Sequence, residues 1–434
     1  MRRRLSVVTV GCKANFADSA GIVAHAARAG FSVVPPGTPA DVLVVNSCTV
    51  THRADRDSRA LARRLRRENP GAVIVLTGCY AEVSPGERER VPEVDHWVGI
   101  RDTSGLGALL STLAGPETEP AGDIPEHAAD RLLGHSRTFL KIQDGCDASC
   151  AYCIVPLARG PGRSLPSGEA IEKAVRAERD GAREIVLTGI HVGRYGNDLG
   201  GRDGLAALLS ALLSATSACR FRLGSVEPLE ISPALIRLLA EGDRVCPHLH
   251  VPLQSGSDRV LRRMGRPYTA RQYRDVLGRL ADAIPGIRLG ADVIAGFPGE
   301  TADDFEETAR VIRTTRVSYL HAFPYSPRAG TKSAGWLDDV PPAEKKARVA
   351  RLREMDFALR KGFLAAQLGR TLTATAEARD PATGEFRGTS ENYAEVRFRA
   401  EGVRIGELCP VRVLSVEGSR LKGRGERAAF GARE

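Results

Sequence analysis

Residues 141–156 read KIQDGCDASCAYCIVP, a C-x3-C-x2-C pattern formed by Cys146, Cys150 and Cys153, placed directly after the apolar, β-prone run 138–143. A single loop at a strand end can offer three thiolates to three corners of one inorganic cluster, leaving its fourth metal open to a small chelator. A structural zinc site wants a fourth Cys or His with paired C-x2-C spacing; His135 is the nearest stand-in. Downstream, EIVLTGI, RFRLGSV, LHVPLQ, RLGADVIAGF and YLHAFPY repeat the strand signature. Helical stretches such as EAIEKAVRAERDG and TADDFEETARVIRTT separate them. Six such strands alternating with helices predict a parallel α/β barrel, open or closed, over 136–368. The long basic helix PAEKKARVARLREMDFALRKGFLAAQLG ends that region.

Upstream, LSVVTV (5–10), DVLVVNS (41–47) and AVIVLTG (72–78) are short, continuous and β-branched, with helical segments between them. This predicts a separate parallel α/β domain over 1–113. No glycine-rich dinucleotide fingerprint follows the first strand, so a nucleotide-binding Rossmann domain is not supported. Cys12, Cys48 and Cys79 each follow one of these strands. Strand C-termini of a parallel sheet share one edge, so three distant thiols converge there. Gly11 and Gly78 let the backbone come close to a bulky group. Such a trio suits zinc or a cubane cluster; the plainer alternative is three small buried hydrophobes. The stretch 114–135, AGPETEPAGDIPEHAADRLLGH, reads as a linker or surface excursion. Residues 369–434 turn to short β segments (TLTATAEAR, AEVRFRA, CPVRVLSVEG), the pattern of a small β-barrel. The fold class is therefore α/β and multidomain, with a C-terminal β module.

The bulk composition narrows the function. Lys and Arg number 62 against 53 Asp and Glu, a net charge of +9, which suits a polyanionic partner such as RNA. Nine cysteines, an odd number, argue against a disulfide framework. No apolar run is long enough to span a bilayer. The apolar run after MRRR is only about five residues, too short for a secretion signal; it reads as a first strand, and the expected location is cytoplasmic, with no membrane partner.

The spacing of Cys146, Cys150 and Cys153 is the signature of radical S-adenosylmethionine enzymes. The whole chain resembles the radical S-adenosylmethionine methylthiotransferase family. The resemblance is carried by TVGCKANFADS, VVNSCTVTHRADRDSRA, TGCYAE, KIQDGCDASCAYCIVPLARGPGRS, LTGIHVGRYG, RLGSVEP, HLHVPLQSGSDRVLRRMGRPYT and DVIAGFPGETADDFEET. GCKAN, NSCTVTHRAD, KIQDGC and HAFPYSPRAGT resemble the subgroup acting on N(6)-threonylcarbamoyladenosine beside the anticodon of tRNA. Small departures exist: Asn46-Ser47-Cys48 stands in place of Asn-Thr-Cys, and Glu82 in place of a frequent Gln.

The resemblance implies a partial barrel flanked by an N-terminal cluster domain and a C-terminal TRAM domain. It implies two [4Fe-4S] clusters. Cys12, Cys48 and Cys79 would hold the auxiliary cluster that carries the inserted sulfur; Cys146, Cys150 and Cys153 would hold the radical-generating one. One S-adenosylmethionine methylates sulfur, and a second yields the radical that takes hydrogen from carbon 2 of the adenine. Thr188, Gly189, Ser225, Glu227, His250, Gln254, Ser255 and Asp292 lie at or near expected strand ends, where polar groups suit S-adenosylmethionine. Capping and rim hydrogen bonds are the alternative for each. His191 is a further, weaker candidate. Arg159 and Arg163 meet RNA phosphate or pack nearby. Arg387, Tyr393, Arg397 and Arg399, with Phe398, suit RNA stacking and phosphate contact on a small barrel; the alternative is aromatics filling its core. Arg63, Arg64, Arg66 and Arg67 read as a solvated basic face. Implied partners are tRNA, an electron donor such as flavodoxin or ferredoxin, and a sulfur source, with the chain a monomer. The competing functions are a methylthiotransferase acting on isopentenyladenosine in tRNA or on a ribosomal protein, and, of another class, a non-catalytic zinc- and RNA-binding protein.

Overall fold

The computed structural model describes residues 2–115, 122–201 and 204–426. The chain forms two compact units. The first comprises Met1–Asp180, Leu187–Arg202 and Ser326–Gly335; the second comprises Gly181–Val186, Asp203–Tyr325 and Trp336–Glu434.

In the first unit, β1 (Arg4–Thr9), β2 (Ser32–Val33), β3 (Val42–Ser47), β4 (Val73–Gly78) and β5 (His96–Trp97) make one sheet in the order β2-β1-β3-β4-β5. Every pairing is parallel. Alternate residues serve opposite faces, as a strand's twofold period requires. Leu5, Val7, Val42, Val44 and Val75 pack with Ile22, Val23 and Ala26 of helix Lys13–Arg28. Leu43, Val45, Ile74 and Leu76 pack with Leu61 and Leu65 of helix His52–Glu68. Burial on both faces explains why these strands are apolar throughout, each fully buried Val or Leu contributing about 1.5–3 kcal/mol. Thr51 caps the second helix by accepting from Ala54 N at 3.2 Å. The same unit holds β6 (Thr138–Asp144) and its antiparallel partner β7 (Arg163–Ser164).

The stretch expected as a linker contains a helix, Glu126–Leu132, with His127, Ala129 and Asp130 buried. Asp130 accepts from Phe139 N at 3.0 Å, and His127 Nδ1 lies 2.8 Å from Thr138 Oγ1, so the helix is fastened to β6. Flanking Pro and Gly hid a helix of about two turns whose stability is tertiary.

β8 (Glu184–Gly189) begins in the second unit and ends in the first. The second unit continues with β9 (Arg220–Leu223), β10 (His248–His250), β11 (Arg288–Ala295) and β12 (Val317–Pro324). β10, β11 and β12 are parallel neighbours, and parallel bridges Phe221↔Val245 and Ser225↔His250 join the β9 side to the β10 side. Among the described sheets only the C-terminal one closes. That closed barrel runs β13-β14-β15-β17-β16, built from β13 (Thr371–Arg379), β14 (Phe386–Ser390), β15 (Glu395–Arg399), β16 (Leu408–Glu417) and β17 (Arg420–Gly425). Leu372, Val396, Phe398, Val411 and Leu421 fill it. Closure leaves no free edge.

A charged knot fastens this barrel to the core of the second unit. Glu184 is fully buried and accepts from Arg220 Nη2 at 2.6 Å and from Arg222 Nε at 2.7 Å. The same guanidiniums donate onward to Thr373 O at 2.7 Å and Ser390 O at 3.0 Å.

Candidate active site

The registers place the first cysteine trio on one sheet edge. Thr9 pairs with Asn46, Asn46 with Thr77, and Ser47 with Gly78. Cys12, Cys48 and Cys79 therefore leave three adjacent strands at one level. Gly78 has φ 97°, and a Cβ there would lie 2.3 Å from Ser47 O. A Cβ on Gly11 would lie 2.9 Å from Cys48 Cβ and 3.2 Å from its Sγ. Both glycines thus clear space against the Cys48 loop. Burial pushes the Cys79 thiol up to about 12 and raises that of Cys48 as well; each thiolate is further disfavoured by its neighbours in the trio. Three close thiols of this kind ionise together only against a bound cation, which matches the donor set of a metal cluster.

Cys146, Cys150 and Cys153 follow β6 in a loop closed by Cys146 N donating to Gly160 O at 3.0 Å and Cys153 N to Cys150 O at 3.1 Å. Ala148 N donates to Cys146 Sγ at 3.3 Å, and His191 Nδ1 lies 3.2 Å from that sulfur. Hydrogen bonds to sulfur stabilise a thiolate and tune a cluster. Sequence reasoning missed Gln143. Its Oε1 accepts from His191 N at 2.6 Å, while Nε2 donates to Gly145 O at 2.9 Å. One side chain so ties the cysteine loop to the loop after β8. Gly189 belongs to the same contact: a Cβ there would meet Gln143 O at 2.5 Å.

Two buried arginines brace the trios. Arg159, expected to face RNA or pack nearby, is 2% exposed and donates to Cys79 Sγ, so it is unavailable to phosphate; Arg163 is exposed. Arg328, in the SPRAGT segment, donates from Nη2 to Thr49 Oγ1 at 2.6 Å and pairs with Asp55 at 2.7 Å, beside Cys48. Just beyond that segment, Ser333 N donates to Ala151 O at 2.8 Å, inside the second cysteine loop. The motif HAFPYSPRAGT was legible, but the contacts of Arg328 were not, because they are long-range.

In the second unit the strand-end polar residues sort into two groups. Ser255 is fully buried beside Thr308 Oγ1 at 3.2 Å, and the half-buried Glu227 pairs with Arg266. Gln254, at φ 62°, bridges to Val293. Ser225 is exposed next to His250, and Thr188, at the first unit's end of β8, is buried. His250 Nε2 lies 3.0 Å from Asp292 Oδ1, and His321 Nδ1 lies 3.2 Å from the same oxygen. Tyr319 Oη lies 3.2 Å from His250 Nδ1 and 2.8 Å from His248 Nε2. Burial alone would raise the Asp292 carboxyl; the two imidazoles outweigh it and hold the group well below the usual carboxylate range. Asp292 is thus an anion at neutral pH. His321 was missed by sequence reasoning, because an alternating strand residue carries no motif of its own.

On the C-terminal barrel, outward cations line up across strands: Arg387 opposite Arg397, Arg397 opposite Lys422, Arg399 opposite Arg424 and Arg424 opposite Arg412. Like charges facing each other cost stability in a bare sheet, and a polyanion offsets that cost. Phe398 is 1% exposed and packs on Phe386 inside the barrel. Tyr393 stacks on His248 at 4.3 Å with Arg222 over its ring. Phe398 thus fills the apolar barrel centre, while the half-buried Tyr393 has one face on His248. Arg63, Arg64 and Arg66 pair with Glu93, Glu68 and Asp95, as a solvated face does. Cys219, Cys246 and Cys409 are buried.

Residues 140–312 match the Radical SAM superfamily model, and residues 4–99 match a model described as Uncharacterized protein family UPF0004. A solved radical S-adenosylmethionine methyltransferase, TsrM from Kitasatospora setae with cobalamin and a [4Fe-4S] cluster bound, has a similar fold (TM-score 0.55, 14% identity, 77% of each chain covered). Fold and cysteine loop together define a radical S-adenosylmethionine protein. The threonylcarbamoyladenosine tRNA methylthiotransferase MtaB of Bacillus subtilis is 38% identical over 94% of this chain and 92% of its own. The tRNA-2-methylthio-N(6)-dimethylallyladenosine synthase of Chloroflexus aurantiacus is 34% identical over 97% of this chain and 91% of its own. At this identity and coverage the chain belongs to the radical S-adenosylmethionine methylthiotransferase family. Among the described residues no helix is long and apolar enough to cross a membrane.

Proposed function

We propose that the chain methylthiolates carbon 2 of N(6)-threonylcarbamoyladenosine beside the anticodon of tRNA, using two S-adenosylmethionine molecules and two [4Fe-4S] clusters. The observation that carries this reading is the full-length likeness to the Bacillus subtilis protein of that name. The motifs GCKAN, NSCTVTHRAD and HAFPYSPRAGT support the choice of base. Cys12, Cys48 and Cys79 hold the auxiliary cluster; Cys146, Cys150 and Cys153 hold the radical-generating one. When bound, these groups supply a hydrogen-abstracting radical from S-adenosylmethionine and the sulfur to be inserted.

The chain's own residues bind, orient and shield. Gln143 and His191 hold the Cys146 loop. Ser225, His250 and Asp292 offer polar groups to the cofactor. The Arg387, Arg397, Lys422 row and the Arg399, Arg424, Arg412 row take tRNA phosphate. An electron donor such as flavodoxin or ferredoxin and a sulfur source complete the reaction, which the chain carries out as a cytoplasmic monomer.

Mass spectrometry of tRNA nucleosides tests the base. A deletion strain should lack 2-methylthio-threonylcarbamoyladenosine and the complemented strain should regain it. Loss of the isopentenyl derivative instead assigns the second reading, which the 34% likeness to the Chloroflexus protein favours. Cys48→Ala is expected to keep some cleavage of S-adenosylmethionine while forming no thiolated product; full product formation refutes the auxiliary-cluster assignment. Arg397→Gln should weaken tRNA binding evenly across sequences and lower the salt slope by about 1, read by filter binding at several salt concentrations.

A further inference from the structure

We propose that Arg159 is a positioning residue that locks the Cys146–Cys150–Cys153 loop to the Cys12–Cys48–Cys79 trio and, through its Nε–H on the Cys79 sulfur, raises the reduction potential of the cluster held there. The inference rests on the two-cluster reading above.

Arg159 ends the short helix Val155–Arg159 that leads directly out of the second cysteine loop. Its guanidinium spends every edge. Nε donates to Cys79 Sγ at 3.3 Å, Nη1 to Asp144 Oδ1 at 2.8 Å, and Nη2 to Asn15 Oδ1 and Asp18 Oδ2, each at 2.7 Å. Asp144 lies at the end of β6, two positions before Cys146. Asn15 in turn donates to Val10 O at 2.8 Å and Ser47 O at 3.0 Å, the carbonyls that precede the Cys12 and Cys48 turns. One planar fork therefore touches the frame of both trios.

The plainer alternative is a buried arginine that only neutralises Asp18 and Asp144. Lys141 already does that, pairing with both carboxylates. Two acids are thus met by two cations, and the Cys79 sulfur is a further acceptor, reached by Nε–H while Nη1 and Nη2 serve the acids. Reducing a cluster adds negative charge to its sulfurs. A buried cation and a donor to one of them favour the reduced form. Only an arginine holds four acceptors in one plane; a lysine keeps the charge and loses the fork.

The test uses the full-length, reconstituted holoprotein. Iron content and electron-spin-resonance redox titrations are compared for wild type, Arg159→Gln and Arg159→Lys. Both variants should keep about eight irons per chain, as two cubanes require. In Arg159→Gln one of the two midpoint potentials should fall, the reduced-to-oxidised ratio at fixed potential dropping at least tenfold, ~59 mV for a one-electron couple. The potential that falls should be the one retained by Cys150→Ala. Arg159→Lys should give a smaller fall. The ratio of thiolated product to S-adenosylmethionine cleaved should drop with it. Full iron with both potentials unmoved overturns the proposal while the two-cluster reading stands. If Arg159→Gln loads poorly, an unmoved potential in Arg159→Lys overturns it equally. A wild-type protein with four irons and one potential overturns both.

Discussion

Cys150→Ala is expected to abolish cleavage of S-adenosylmethionine, a fall of more than about a thousandfold, and to lower iron from about eight to about four atoms per chain. The three thiols of this loop sit on one short segment whose backbone is already closed by Cys153 N on Cys150 O. The loop 144–160 holds no fourth cysteine to replace the lost sulfur. Cys146 is engaged with Ala148 N and lies against His191, and the other trio belongs to a separate sheet edge. A cubane with two protein ligands is labile, and the cofactor then has no metal to chelate. Anaerobic assays of 5′-deoxyadenosine release, run beside iron and sulfide analysis, check this. Retained cleavage in Cys150→Ala would place the radical chemistry elsewhere.

Glu184→Gln is expected to destabilise the second unit by about 3–5 kcal/mol, the cost of leaving a buried charge without its counterion. Glu184 and Arg222 are both fully buried, and Arg220 is 6% exposed. The two guanidiniums compete for one carboxylate and then reach into the C-terminal barrel. Glutamine keeps the shape and removes the charge. Urea denaturation followed by circular dichroism reads the effect as a lowered midpoint. A triple variant, Glu184→Gln with Arg220→Met and Arg222→Met, should recover part of the loss, because well-packed apolar groups of similar volume often match a buried ion network. An unchanged midpoint in Glu184→Gln would show that the network is not a docking knot. Cleavage of S-adenosylmethionine should survive at temperatures where the variant stays folded, since all six patterned cysteines lie outside that unit.

The local features were legible from the chain alone. The apolar runs at 5–10, 41–47 and 72–78 are strands because β-branched residues buried on both faces have few other stable homes. The C-x3-C-x2-C loop is contiguous, so its geometry is local. The convergence of Cys12, Cys48 and Cys79 was readable through topology, since parallel strands end on one edge. The β module at the end was readable from its turns.

What tertiary structure alone decided is which charged side chains face inward. For Arg159 the sequence left RNA contact and local packing both open, because arginine is usually solvated; only Asp18, Asn15, Asp144 and Cys79, gathered from distant segments, make its burial favourable. That one face of Tyr393 stacks on His248 is likewise set by residues far apart in the chain. Arg328, Gln143 and His321 carry no pattern by themselves, and their partners lie up to 279 positions away. The physical reason is common to all. Strand and loop preference is set within a few residues, whereas a buried charge is stable only where the whole fold brings it a counterion.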